Sequence, residues 1–566
     1  PFLSAQGEIA AHQAVAFAAE KLGERPSVFS AADLEKEAGR FRLGKVTQTQ
    51  ISAAIDRATK EGALAPRTFI DKRGAEFGGF TTASNIDNEQ RLLRAEANGR
   101  GKIMAIQTPE QAAKAVARAA LASEHPWTAD QREAAKALLT SLNRVTAVQG
   151  YAGTAKTTTV LATLANVAVA QGQSITALAP TASAARTLGE ALGTRGETVA
   201  KHLMGQHSIA TNGRSVWIVD EASMLSARDT ATLLESAEKS KARVILVGDV
   251  KQLGSVGAGA AFAQLQGAGM ETAKLAEIVR QTNPLTKEAV EASIQGDARR
   301  ALDALDRGGG SIIANADPAD RMKMMARDFA SLTPKEQRNT IVIDPSRAGR
   351  DALNGEIRMQ MISNGRLTGE AVAMRTLESK GLTSAEARDA RSYEVGDVVR
   401  FARDYADKGI AKREAVTVKG VDPAKNAVSL EKADGQTVDW RPRQWGAGKS
   451  EVFTPGSIDL MKGDRIEFTR NDRVQSRENG GRAQIVSVNT EHQTARIRLD
   501  NGKFQTLDLT QSTDQHLRHG YVQTAHAAQG RTAERVMIHA DSRAVNLVDQ
   551  KMMYVGISRA KVSAGL

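Results

Sequence analysis

The sequence predicts an α/β protein: two parallel-sheet domains, an all-β insertion inside the second, and a small helical unit ahead of both. Three observations carry this reading. At 566 residues the chain is longer than one hydrophobic core usually supports, and length alone suggests about four domains. Short Val/Ile-rich runs alternate with helical segments in two separate groups. Between the strands of the second group lies a β-rich stretch with an internal echo.

Composition narrows the function classes. Apolar residues make up 41% of the chain, and 48 glycines bring it near the normal globular range, which argues against wholesale disorder. The absence of cysteine removes a disulfide framework, a thiol nucleophile and any Cys-ligated metal site. The longest apolar run, around Val160 to Ala170, is too short to cross a bilayer, so no membrane partner is expected and the chain reads as cytoplasmic. It begins at Pro1 without a Met, which suggests a piece of a longer protein. The net charge of +11 points to a polyanionic partner.

Residues 1–90 show apolar helical periodicity from Ile9 to Ala19, an N-cap at Ser30, a third helix near Gln50–Glu61 and a hairpin from Gly62 to Thr82. Three helices and a hairpin resemble a winged helix. An Ala-rich helical connector is expected over 91–125. The first parallel-sheet domain, 126–300, has strands at Val145–Val148, Ile175–Leu178, Val216–Val219 and Val244–Val247. The second, 301–391 with 515–566, has strands at Thr340–Ile343, Tyr521–Gln523 and Arg535–Ile538. The insertion, 392–514, repeats a Gly-Asp strand start (Gly396-Asp397, Gly463-Asp464) and an Asp/Asn-Gly hairpin, which suggests two small SH3-like barrels. Trp440, Trp445 and Phe453 beside Arg441, Arg443 and Lys449 form the one basic–aromatic cluster. Such residues stack a base or close a small barrel.

The chemistry concentrates in a few loops. Strand Val145–Val148 runs into Gly150-Tyr-Ala-Gly153-Thr154-Ala155-Lys156-Thr157-Thr158 and then a helix. Such a loop aims backbone N–H groups and a helix N-terminus at phosphates, with Lys156 reaching the β/γ-phosphates and Thr157 binding Mg²⁺. Ala155 stands where Gly normally precedes the lysine, adding a Cβ near the phosphates. The strand Val216–Val219 ends in Asp220-Glu221, at the sheet edge where ligands of α/β folds bind. There Asp220 can hold Mg²⁺ and Glu221 can orient an attacking water. Gly248-Asp249 and Gln252 place a further polar group on the same edge. Together these predict hydrolysis of a nucleoside triphosphate with Mg²⁺.

In order and type these segments resemble the superfamily 1 helicases. Thr128-Ala-Asp-Gln131 resembles the adenine-reading motif, with Gln131 recognising the base edge. Ala179-Pro180-Thr181 resembles the motif that holds the DNA backbone, and Leu246–Leu253 the one coupling γ-phosphate to DNA. Ile278-Val-Arg280-Gln281 resembles the motif carrying an arginine to the phosphates. Val522-Gln-Thr524-Ala-His526-Ala-Ala-Gln529-Gly530-Arg-Thr532 and Tyr554-Val-Gly-Ile-Ser558-Arg559-Ala560-Lys561 resemble the last two motifs. More narrowly, the chain is similar to the helicase part of conjugative relaxase-helicases of the TraI/TrwC family.

That resemblance implies two RecA-like domains with an SH3-like insertion, ATP and Mg²⁺ as cofactors, and 5′-to-3′ movement on single-stranded DNA in plasmid transfer. It implies that Lys156 and Thr157 grip the phosphates from one side and Arg280 and Arg559 from the other, with Arg559 as the arginine finger. Gly530 joins the nucleotide site, and Pro180, Thr181, Thr524 and His526 face DNA. The implied partners are single-stranded DNA, a duplex junction, a relaxase domain upstream of Pro1, the relaxosome and secretion-system coupling proteins, in a bacterial cytoplasm or in the recipient cell. A strand-parting hairpin is expected between Leu203 and Val216, where the sequence leaves little room. A RecD-like repair helicase, a translocase that does not unwind, and a DNA-binding scaffold with a dead ATP site share these motifs.

Overall fold

The computed structural model describes residues 4–41, 44–70, 74–205, 214–472, 474–541, 543–544 and 546–566. The chain divides into two compact units. One comprises Pro1–Ser84 with Gly365–Gly520, the other Asn85–Asn364 with Tyr521–Leu566.

The second unit holds two parallel sheets. In the first, the spatial order is Gly196–Thr198, Ser174–Ala179, Ser215–Val219, Arg243–Gly248, Val145–Gly150 and Thr272–Leu275, every pairing parallel. Ser215–Val219 and Arg243–Gly248 are buried at every position, as strands covered on both faces must be. Trp217, Val219, Val244 and Leu246 pack on one face, and Val216, Ile218, Ile245 and Val247 on the other. The second sheet runs Val522–Gln523, Thr340–Ile343, Ala533–Ile538 and Ala560–Gly565, again parallel.

The domain limits differ from those expected at two points here. The 91–125 connector is no free linker: Leu92 and Ala95 enter the core on one face of the first sheet, and Ala112 and Val116 enter the other. The helix Pro284–Gln295, expected with the first sheet, packs with Ala289, Val290 and Ile294 in the core of the second. Asn283 caps its start and Gly296 its end.

In the first unit, helices Ser4–Gly23, Ala31–Phe41 and Gln48–Lys60 precede the hairpin Leu64–Ile70/Glu76–Thr82, and Phe29–Ser30 adds a short third strand. Phe29, Leu34, Ile51, Ile55 and Leu64 are buried in their shared core. The β module is longer than expected, because Thr368–Ser379 pairs antiparallel with Ser450–Lys462. It therefore starts well before residue 392, inside the stretch assigned from sequence to the second parallel-sheet domain, and Leu517–His519 extends it past 514 by pairing with Arg465–Phe468.

The module contains a six-stranded and a five-stranded antiparallel sheet. The repeated Gly-Asp turn explains the echo. Asp397 accepts from the N–H of Glu394, and Asp464 from the N–H of Met461, each three residues back. Gly396 and Gly463 take φ of 97° and 100°, open to glycine. Each glycine and aspartate then pairs with the next strand through the same bonds, at Val418 and at Ile485.

Trp440 is fully buried against Tyr393, Phe401 and Trp445, and its indole N–H donates to the Trp445 carbonyl. Of the two readings from sequence, the ring's burial in the core of the six-stranded sheet leaves no face for stacking a base. The stretch expected to hold a strand-parting hairpin falls largely on 206–213, outside the described residues.

Candidate active site

The phosphate-type loop leaves Val145–Gly150 and enters a helix whose first turn, Thr157–Leu161, is a π-helical bulge, a feature common at functional sites. The close approach within the loop needs its glycines. A Cβ on Gly150 would stand 2.6 Å from Lys156 Cδ, and one on Gly153, at φ 87°, 2.6 Å from Arg280 Cβ. Ala155 occupies the left-handed region at φ 54°. An alanine held there costs about 1–2 kcal/mol in backbone strain relative to glycine. Its carbonyl accepts from the Thr159 amide and from the Thr158 and Thr159 hydroxyls.

Lys156 Nζ donates to the carbonyls of Gly150 (2.6 Å) and Tyr151 (3.1 Å). Desolvation pushes its ammonium below the ordinary lysine range, against the pull of Asp249, Asp220 and Glu221. Asp220 accepts from the Glu221 amide, and burial followed by the nearby Glu221 charge raises its carboxyl to about 6. Glu221 is also left-handed, at φ 51°, and strain of this kind clusters at functional sites.

Asp249 is the hub of the site. It accepts from Gln149 Nε2 (3.1 Å), the Lys251 amide (2.9 Å), Gln252 Nε2 (3.2 Å) and the Tyr554 hydroxyl (2.7 Å). The same hydroxyl accepts from the Ala152 N–H of the phosphate-type loop at 2.7 Å.

Two expectations change. Gln131 is buried, with its amide committed: Oε1 accepts from Thr128 N in a capping box, and Nε2 donates to the Thr154 carbonyl. It supports the loop from beneath, and its amide is not presented to a base. Arg280 does not come from the opposite side. It follows the edge strand Thr272–Leu275 of the first sheet, its amide donates to Gly153 O, and its guanidinium reaches Ser558 O in the second lobe.

Arg559 does come from the second lobe. It is buried, donating to the carbonyls of Val555 and Arg531 and to Ser558 Oγ. Burial, then repulsion from Arg559, lowers Arg280 to about 10. Among the described residues, Lys156, Arg280 and Arg559 have no ion pair within 4 Å. Three carboxylates and three unpaired cations thus share one site.

Thr181 and Thr524 cap the helices Ala182–Ala191 and Ala525–Ala528, accepting from Ala184 N and Ala527 N. Pro180 is half-buried, while Thr181 and His526 are exposed, the latter within the helix Ala525–Ala528. Gly530 lies near Glu221, whose Oε1 would be 3.8 Å from a Cβ there.

This donor set fits a nucleoside triphosphate with a divalent metal. Among the described residues no three His, Cys, Asp or Glu side chains gather to hold a metal. Mg²⁺ needs only one or two protein oxygens beside phosphate and water, a number that Asp220 and Thr157 would supply.

Comparison with known proteins agrees. A family model described as an AAA domain matches residues 126–316, and one described as the viral superfamily 1 RNA helicase core domain matches 443–565. The multifunctional conjugation protein TraI of Escherichia coli (strain K12) is 25% identical over 97% of this chain and 33% of its own length. The chain is thus similar to superfamily 1 helicases of the TraI type. The ATP-dependent RecD2 DNA helicase of Deinococcus radiodurans is 34% identical over 33% of this chain and 26% of its own length. The crystal structure of the Pif1 helicase from Candida albicans is 14% identical, with a TM-score of 0.42, over 78% of this chain and 94% of that one. The chain spans about a third of the length of the TraI proteins it matches.

Gln149, Gln281, Gln529 and Tyr554 were not singled out from sequence. Gln281 donates to the carbonyls of Ser558 and Ala560, flanking Arg559, and Gln529 donates to Glu221. All but Gln149 stand inside the motifs quoted above, which was the available signal. Their partners lie up to about 400 residues away.

Proposed function

We propose that this helicase hydrolyses ATP with Mg²⁺ to move 5′ to 3′ on single-stranded DNA and to part a duplex ahead of it, in conjugative transfer of plasmid DNA. The observation that carries the reading is the meeting of Lys156, Arg280 and Arg559, none in an ion pair, with Asp220, Glu221 and Asp249 between two parallel sheets. Like charges held this close await an anion on one side and a cation on the other.

In this reading Lys156 and the loop N–H groups hold the phosphates, Thr157 and Asp220 hold the metal, Glu221 orients water, and Gln252 senses the terminal phosphate. A divalent metal held by Thr157 and Asp220 would offset the charge of the phosphates. Arg559, carried by the other lobe, reaches the site only when the lobes are closed, so opening and closing follow turnover. Pro180, Thr181, Thr524 and His526 form the DNA side. The three-helix module is read as winged-helix-like and the β module as a pair of SH3-like barrels. The printed name of the TraI relative, a conjugation protein, supports partners of that setting: a relaxase domain, the relaxosome and secretion-system coupling proteins.

The test is ATPase with and without single-stranded DNA, then unwinding of 5′-tailed against 3′-tailed duplex. Stimulation by single strands and unwinding from 5′ tails are expected. Unwinding confined to 3′ tails would overturn the polarity, and turnover indifferent to DNA would overturn the motor.

A further inference from the structure

We propose that Tyr554 is a positioning residue that ties the second lobe to both the phosphate-type loop and Asp249, so that lobe closure sets Gln252 for hydrolysis. The proposal rests on the ATPase reading above and assigns a role that reading leaves out.

The argument is geometric. The Tyr554 ring is fully buried in the core of the second sheet beside Ile343, Ile538 and Ile557, so the second lobe fixes where its hydroxyl stands. Both partners of that hydroxyl belong to the first lobe. It donates to Asp249 Oδ2 at 2.7 Å and accepts from Ala152 N at 2.7 Å. Asp249 Oδ2 also accepts from Gln252 Nε2, so one carboxylate oxygen is shared between Tyr554 and Gln252. Gln149 and the Lys251 amide hold the other oxygen, which fixes the carboxylate plane.

Withdrawal of the second lobe therefore removes one donor from Asp249 and the acceptor from the Ala152 N–H together. A merely space-filling tyrosine would not place its one hydroxyl between two elements of the opposite lobe's site. A buried hydroxyl needs partners, and both partners of this one come from the opposite lobe.

The experiment uses the full chain with Tyr554→Phe, which keeps the ring and removes the oxygen. DNA-stimulated kcat is expected to fall by about tenfold or more, the scale of partners standing one shell behind a reacting group, with the KM for ATP within about threefold. Gln252→Ala and the double variant complete a cycle. If Tyr554 acts through Asp249 on Gln252, the double variant loses little more than Gln252→Ala alone.

Hydrogen exchange without nucleotide gives a readout independent of turnover. Peptides spanning 149–157 and 249–253 are expected to lose protection while the strands of the second sheet keep theirs. A kcat within twofold of the parent, multiplicative effects in the cycle, or unchanged protection in both peptides would overturn the proposal. So would a loss of protection spread through the whole second sheet, which would mark Tyr554 as structural. An inert parent would instead refute the ATPase reading, and local loss of protection in Tyr554→Phe would then leave the tie standing without its catalytic consequence.

Discussion

Gln529 donates its side-chain amide to the Glu221 carboxylate at 3.0 Å, joining a short helix beside the second sheet to the acidic pair of the first. Glu221 is held in the left-handed region, so this bond fixes the direction of a carboxylate whose backbone is already constrained. Gln529→Ala is expected to lower DNA-stimulated kcat by about 10–100-fold, with little change in nucleotide affinity. Steady-state kinetics beside a nucleotide-binding titration check it.

Arg559→Ala should remove about 10³-fold or more of the DNA-stimulated ATPase, the usual worth of an arginine finger. Binding to single-stranded DNA should be retained. Because Arg559 is buried and bonded to Val555 O and Arg531 O, a thermal melt belongs beside the assay. An activity within tenfold of the parent would remove it from this role.

Ala155→Gly relieves the strained φ of 54°, about 1–2 kcal/mol, and gives back about 0.4–1 kcal/mol in unfolded-chain freedom. The melting temperature should hold or rise slightly, and ATPase should be equal or higher. A tenfold fall would show that the Cβ has been adopted by the site.

Asp220 titrates near 6, above the ordinary carboxyl value of 3.8. A raised carboxyl binds its proton more tightly in the folded state, so this group adds stability as pH falls through 6 and loses it as pH rises. Metal binding needs the ionised form. Affinity for Mg²⁺-nucleotide should therefore weaken progressively below about pH 6, and Asp220→Asn should remove that dependence along with most of the affinity. Titrations at pH 5.5 and 7.5 separate the two.

Trp440→Ala should cost about 3–5 kcal/mol, since the ring is fully buried and its N–H is bonded. Denaturant unfolding followed by circular dichroism measures it. Trp440→Phe should leave single-stranded-DNA affinity within twofold, because the ring has no face to offer a base.

Where local pattern dictates structure, the elements could be read directly. Continuous apolar strands such as Val216–Val219 announce burial on both faces, and the Gly-Asp echo marked two halves of the β module that share one turn. The limits of that module were not legible, because Thr368–Ser379 finds its partner about 80 residues away and its alternation points equally to a strand of either sheet. The candidate site divided in the same way. Lys156, Asp220 and Arg559 stand at fixed places in local motifs, whereas Gln131 turned inward because a capping box and a loop carbonyl claimed its amide. Tyr554 drew no notice because a tyrosine between a methionine and a valine on a helix reads as core, and its hydroxyl meets its partners only when the lobes assemble.

Each unit is assembled from two stretches of chain, and this sets an order on synthesis. The helices and hairpin before Ser84 leave the ribosome 280 residues ahead of the β strands they are grouped with, because Asn85–Asn364 comes between. At about 5–20 residues per second, that wait is roughly 14–56 seconds. Their own core around Leu34 and Ile55 gives them something to hold together with in the interval. The strand Val522–Gln523 waits in turn for the β module to be made before it can join Thr340–Ile343. The second parallel sheet is therefore completed only once Ala560–Gly565 has emerged to pair with Ala533–Ile538.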